Sequence, residues 1–296
     1  WPGWGEPSQL ARSGTHMRSS PARAFYQSSQ MARKECDVAE VGVEWINDYD
    51  HLNTLTHEHT DAGGFYNELV NHDSWTGDFN WGNGNAWSSD FISSGAGGDD
   101  ANWVDDVDMV YFTGHGGPFG IYFKGDTSGN PSVYSDNYLA DGADGNLRLG
   151  DRDLEWLALE VCNVLQWQAN RHGNTYNAFD RWRGTFQGLH TICSFTTVSQ
   201  DLPEPGPYFA ACCDGRWMEV ILGFVFIFDI RFPLTVIDSW FLMTSFTQAS
   251  QYEAAVMYAF RAGESAHGDY IHGHGDVCSD PQPGSGQGRV WIPHQC

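Results

Sequence analysis

Positive charge is scarce in this chain. It carries only two lysines, Lys34 and Lys124, and 15 basic residues against 38 acidic ones, a formal net charge of -23 over 296 residues. A surface of that sign repels nucleic-acid phosphates and anionic membranes, and favours cationic peptides, metal ions or a salty medium. Long apolar runs are also missing. The most apolar stretch, residues 220–228, stops at Asp229 and is too short to cross a bilayer, so membrane insertion is not expected. There is no internal repeat, no helix-spaced zinc-protease pair of histidines, and no twelve-residue helix-loop-helix calcium pattern.

What is abundant argues for a packed globular protein. Aromatic residues make up 15% of the chain, including 13 tryptophans, which excludes disorder on the scale of the whole sequence. The basic residues are unevenly placed, since Arg12, Arg18, Arg23, Arg33 and Lys34 fall in the first 35 positions. Residues 1–35 read as an irregular basic arm, either a strap or inhibitory segment against the acidic body or a mobile tail with no role. Residues 36–296 read as one α/β domain with a Gly/Pro-rich tail over 263–296. The chain begins at Trp1 and holds seven cysteines, Cys36, Cys162, Cys193, Cys212, Cys213, Cys278 and Cys296. A removed signal peptide and an oxidising compartment account for both features, giving the expectation of a secreted protein with disulfides and one free thiol.

Apolar runs over residues 39–46, 107–112, 157–161 and 189–195 predict strands, and 251–260 predicts a last strand or helix. Residues 65–70, 163–170, 208–230 and 233–246 predict helical stretches, while 74–100, rich in Gly, Asn, Asp and Trp, predicts a long loop. Strands alternating with helices point to a mostly parallel sheet covered on both faces, with functional residues at the carboxyl ends of the strands. His115 follows the strand "MVYFTG" and precedes Gly116 and Gly117, and Cys162 follows "LALEV". Each sits at a predicted strand end. A cysteine nucleophile needs a base within reach and a depressed pKa, which the start of a helix after Cys162 would supply. Glu160 is the candidate third member that orients the histidine.

The pieces "MVYFTGHGG" and "WLALEVC" resemble the caspase, legumain and gingipain clan of cysteine peptidases. Within it, "AWSSDF", "DDVDMVYFTGHG", "RLGDRDLEWLALEVC" and "FQGLHTICSFTT" are similar to an uncharacterised family of caspase-like bacterial domains, the DUF6345 type. The resemblance implies a caspase-like three-layer sandwich with a mostly parallel central sheet. It further implies His115 as general base, Cys162 as nucleophile, and Gly116 with the Cys162 backbone holding the oxyanion. Val161 stands where many clan members have a small residue.

Acidic side chains suit a basic peptide residue through paired hydrogen bonds. Asp151, Asp153 and Trp156 are accordingly the candidate substrate pocket. A metal-dependent hydrolase is the rival reading, on His57 and His59 beside Glu58 and Asp61, or on His272 and His274 near Asp269 and Asp276. Asp136, Asp141, Asp144 and Asp151 form an oxygen-rich stretch suited to structural Ca2+. A non-catalytic secreted binding protein on the same fold is the third reading.

Overall fold

The computed structural model describes residues 38–135, 145–221, 224–229, 232–284 and 286–296, so the basic arm expected over 1–35 lies outside the described residues. In chain order the first elements are β1 (Glu40–Trp45), α1 (Glu58–His72), β2 (Thr76–Gly82) and β3 (Met109–Thr113). Three two-residue strands follow, β4 (Gly116–Gly117), β5 (Gly120–Ile121) and β6 (Val133–Tyr134). Then come β7 (Trp156–Glu160), the pair β8 (Gln168–Arg171) and β9 (Asn174–Asn177), α2 (Ala178–Trp182) and β10 (Thr191–Phe195). The last third holds α3 (Pro205–Asp214), β11 (Arg216–Ile221), β12 (Phe224–Asp229), α4 (Val236–Thr247), β13 (Glu253–Arg261), β14 (Glu264–Ser265) and β15 (Gln287–Gln295).

The main sheet has eight strands in the order β14-β13-β10-β7-β3-β1-β2, with β15 also on β13. β2, β1, β3, β7 and β10 run parallel, and β13 returns antiparallel to β10. Every residue of β3, β7 and β10 is buried, as central strands covered on both faces must be. Alternation sorts their side chains. Tyr111 stacks on Phe65 of α1 beside Phe209 of α3, whereas its neighbour Phe112 meets Phe91 and Phe123 on the other face. Helices α1, α3 and α4 therefore cover one face, and turns from the segment between β2 and β3 contribute to the other. The result is a mixed α/β protein with helices against a multi-stranded sheet.

The helical face contains buried acids. Ala62, Phe65 and Leu69 of α1 point inward at helical spacing, and so do Glu58 and Asp61. Asp61 accepts from the Tyr111 hydroxyl at 2.7 Å and from the backbone N–H of Gly206. A side chain at position 206 would collide with the Asp61 carbonyl oxygen, 2.4 Å from where its Cβ would lie, so glycine lets α3 seat against α1. Glu58 accepts from the Thr113 hydroxyl at the end of β3. Burial pushes Asp61 up to about 7 and Glu58 up to about 8.

Four expectations are corrected. The composition of 74–100 hides β2, whose glycine, aspartate and asparagine blur alternation but which pairs with β1 along its length. The helix expected over 208–230 stops as α3, because Gly215 turns left-handed at φ 84° and the chain enters the β11–β12 hairpin. No helix follows Cys162. Asn163 takes φ 63°, and the segment continues to the β8–β9 hairpin, so the thiol gains nothing from a helix dipole. The 263–296 tail contains β15, which pairs with all of β13.

The expected disulfides are contradicted. Cys162, Cys193, Cys212, Cys213, Cys278 and Cys296 are all free, and Cys193 and Cys213 are buried as apolar packing. Cys36 lies outside the described residues.

Alkylation in denaturant without reductant should place an adduct on each of those six cysteines; a linked peptide pair in the digest would contradict the structure. A second expectation concerns pH. Glu58 is raised above its unfolded value, so its contribution is complete below about pH 4.5 and is lost as pH rises through about 8. Glu58→Gln cannot ionise, and its unfolding free energy from urea melts should fall less between pH 5 and 9 than that of the wild type. Equal slopes would refute the burial of an ionisable carboxyl there.

Candidate functional site

β3 and β7 are neighbours in parallel register, with Thr113 opposite Glu160. The residues that follow each strand therefore emerge at one edge of the sheet. After β3 the chain passes Gly114 to His115, and after β7 it passes Val161 to Cys162. Gly116 lies against this second loop: a Cβ there would sit 2.6 Å from Val161 Cγ2 and 3.2 Å from the Cys162 carbonyl oxygen. Only glycine allows the two loops to approach this closely.

His115 is held from the loop after β1. Its backbone N–H donates to the Tyr49 hydroxyl at 2.7 Å, and its ring lies 4.7 Å from that of Tyr49. Nε2 is 2.8 Å from the carbonyl oxygen of Asn53. A carbonyl can only accept, so Nε2 carries the hydrogen and the neutral ring keeps Nδ1 as its basic nitrogen. Cys162 is partly exposed, and its sulfur accepts from the Ser199 N–H at 3.5 Å, with Ser199 Oγ at 3.9 Å. Among the described residues no hydrogen bond joins the His115 ring to the Cys162 thiol.

Glu160 does not orient His115. It is buried in β7, where Gln248 Nε2 donates to it at 3.3 Å, and burial holds its carboxyl well above the usual range. The expected substrate pocket does not gather either. Asp151 and Asp153 are exposed before β7, and Trp156 is buried at the strand's first position. All three are at the opposite end of β7 from Cys162. The expected calcium ligands Asp136, Asp141 and Asp144 lie outside the described residues, and Asp151 hydrogen-bonds with Asp105.

That opposite edge holds two chelating clusters. Asp108, Glu155 and His190 immediately precede β3, β7 and β10, whose first residues Met109, Trp156 and Thr191 are in register. The C-terminal segment supplies the remaining members. His272 Nε2 lies 3.1 Å from Asp108 Oδ1 and 3.5 Å from Glu155 Oε1. His190 Nδ1 lies 2.6 Å from Asp269 Oδ2, with Cys278 Sγ 3.7 Å from both. Within each cluster the ligand atoms are all within 4.8 Å of one another, and both triads suit a metal ion.

The two acids at Asp108 and Glu155 raise His272 to about 10, and burial raises Glu155 to about 7 against the opposing pull of His272. Burial alone would lower His190, but its hydrogen bond to Asp269 and the nearby Asp280 carboxylate outweigh it and raise it to about 11. Trp156 packs edge-on to both imidazoles, with ring centroids at 5.2 Å from His272 and 6.1 Å from His190.

The other expected histidine pairs separate. His57 stands at the N-cap position of α1 without a side-chain cap while His59 packs on Trp45, and their acidic neighbours Glu58 and Asp61 turn into the core. His274 leaves His272 to pair with Asp73 at 2.5 Å, near the end of α1. The sequence did not lead us to expect a chelating role for Asp108, Glu155, His190 or Cys278, nor a positioning role for Asn53 or Ser199. A signal for three of them was present: "DMVYF", "EWLALE" and "HTICSF" each place a chelating residue just before a buried strand.

No curated protein matches the sequence. A family model described as a domain of unknown function, DUF6345, matches residues 43–294. That match spans most of the chain and nearly all of the sheet, and the chain belongs to the DUF6345 family.

Proposed function

We propose that this protein is a cysteine-dependent amide hydrolase on a caspase-type sheet, with Cys162 as nucleophile, His115 as base and a peptide as substrate. The observation that carries the reading is the adjacency of β3 and β7. It delivers a histidine and a cysteine to one edge, and the Asn53 carbonyl leaves Nδ1 of that histidine as the basic nitrogen. A central sheet of five parallel strands with an antiparallel sixth agrees with the mostly parallel sheet that the resemblance implies.

In this mechanism the Cys162 thiol leaves Ser199 and gives its proton to His115 Nδ1 as sulfur attacks the amide carbonyl carbon. Backbone N–H groups at Gly116 and Cys162 receive the developing oxyanion. The imidazolium returns the proton to the leaving amine, and water then hydrolyses the thioester. The net charge of -23 favours cationic peptides through the field of the whole molecule, since Asp151 and Asp153 lie at the far edge.

A second reading has its own observation, the Asp108–Glu155–His272 cluster. It supports a metal-dependent hydrolase at the amino edge of the strands. Imidazole with two carboxylates fits zinc or a similar ion better than calcium, which takes oxygen ligands alone.

The full chain incubated with a diverse peptide mixture, followed by mass spectrometry of new termini, separates the readings. On the first, Cys162→Ala and His115→Ala each lower cleavage on the order of a thousandfold or more, while His272→Ala and chelator leave it intact. Loss with chelator and His272→Ala, but not with Cys162→Ala, would replace it with the second. Absence of cleavage by the wild type under both metal-loaded and metal-free conditions would overturn both for peptide substrates.

A further inference from the structure

The proposed hydrolase does not use His190, Asp269 or Cys278, yet these three come from distant parts of the chain to one point. His190 precedes β10 and is 1% exposed at its side chain, and Asp269 is 2% exposed. Cys278 is nine residues further along the same segment and partly buried. Their donor atoms form a triangle with edges of 2.6, 3.7 and 3.7 Å. Tetrahedral zinc with bonds of about 2.0–2.3 Å separates its ligand atoms by roughly 3.3–3.8 Å. The two sulfur edges already have that length, and the His–Asp edge, about 3.3 Å in such a site, needs to open by about 0.7 Å.

Two further features point to a ligand. A thiol is a weak hydrogen-bonding group, and a His–Asp pair gains little from one turned onto the same nitrogen and the same oxygen. As a thiolate, the sulfur would supply the soft donor that imidazole and carboxylate lack. The outer contacts are those of a metal centre as well. The Cys278 N–H donates to Asp269 Oδ1 at 3.0 Å and fixes the carboxylate. Asp280 Oδ1 lies 3.5 Å from the other imidazole nitrogen, close enough to attract the ring's N–H without a formed hydrogen bond.

We infer that His190, Asp269 and Cys278 form a three-donor zinc-type site, its fourth position left to solvent, that joins the C-terminal segment to the amino edge of the sheet. The same segment is also tied here by His272 to Asp108 and Glu155, by His274 to Asp73, and by the Val236 N–H, which donates to the Asp269 carbonyl at 2.9 Å. The site is separate from Cys162 and from the Asp108–Glu155–His272 cluster, and it stands or falls independently of either hydrolase reading.

The test is Co2+ titration of the metal-free full chain, read by absorption. A stoichiometric sulfur-to-cobalt charge-transfer band is expected. Cys278→Ser should abolish it and weaken binding by about tenfold or more, while Cys162→Ser and His272→Ala keep it. Zn2+ should also protect Cys278 of the wild type from iodoacetamide, as seen by peptide mapping, a readout that does not depend on any variant folding. No charge-transfer band, a band unchanged in Cys278→Ser, or equal alkylation with and without Zn2+ would each leave an ordinary ion pair beside a thiol and overturn the inference.

Discussion

The parallel pairing of β3 with β7 is the constraint on which both ends of the molecule depend. Five residue pairs, from Met109 opposite Trp156 to Thr113 opposite Glu160, fix which side chains face each way and which leave the sheet at each edge. Because the strands run the same way, His115 and Cys162 emerge together, and so do Asp108 and Glu155. The two edges are separated by on the order of 20 Å of strand. A shift of one residue would invert every side chain of β7 and pull both sites apart at once. Complete burial on both faces holds the register, since Tyr111 and Phe112 each have aromatic partners on opposite sides.

The strongly acidic composition extends into the core. Glu58, Asp61 and Glu160 lie buried at or near the ends of β3 and β7, and burial favours the neutral form of each. Thr113, Tyr111 and Gln248 supply hydrogen bonds that limit the cost. These carboxyls tie α1 and the 196–248 region to the carboxyl edge, where His115 and Cys162 sit. The polar residues that looked like ligands or catalytic partners beside His57 and Cys162 therefore serve as internal struts.

The loops at the carboxyl edge and the C-terminal segment at the amino edge have different chemistry. At the first, backbone groups do the positioning: the Asn53 carbonyl on His115 and the Ser199 N–H on Cys162. At the second, side chains meet side chains, with imidazoles held between carboxylates against Trp156. Converging side-chain donors such as those at the second edge suit a cation. Both belong to a family without an assigned activity, matched over residues 43–294.

The sequence by itself determined the buried strands, the α/β class and the placing of His115 and Cys162 after strand ends, because uninterrupted apolar runs and the glycines after His115 are local signals. α4 was legible as an apolar helical stretch, but α1 only in its second half, since its first turns read as a polar run. Local composition failed where pairing decided: β2 lacks alternation but is completed by β1, and β15 forms because β13 offers an edge. The free thiols, the turn at Asn163 and the separation of Asp151, Asp153 and Trp156 from Cys162 were likewise settled by tertiary structure. So were the two chelating triads, since residues 108, 155, 190 and 269–278 meet only when parallel strands bring their starts together beneath a returning C-terminal segment. The chain shows a chelating residue ahead of each of three buried strands, but not that those strand starts lie side by side.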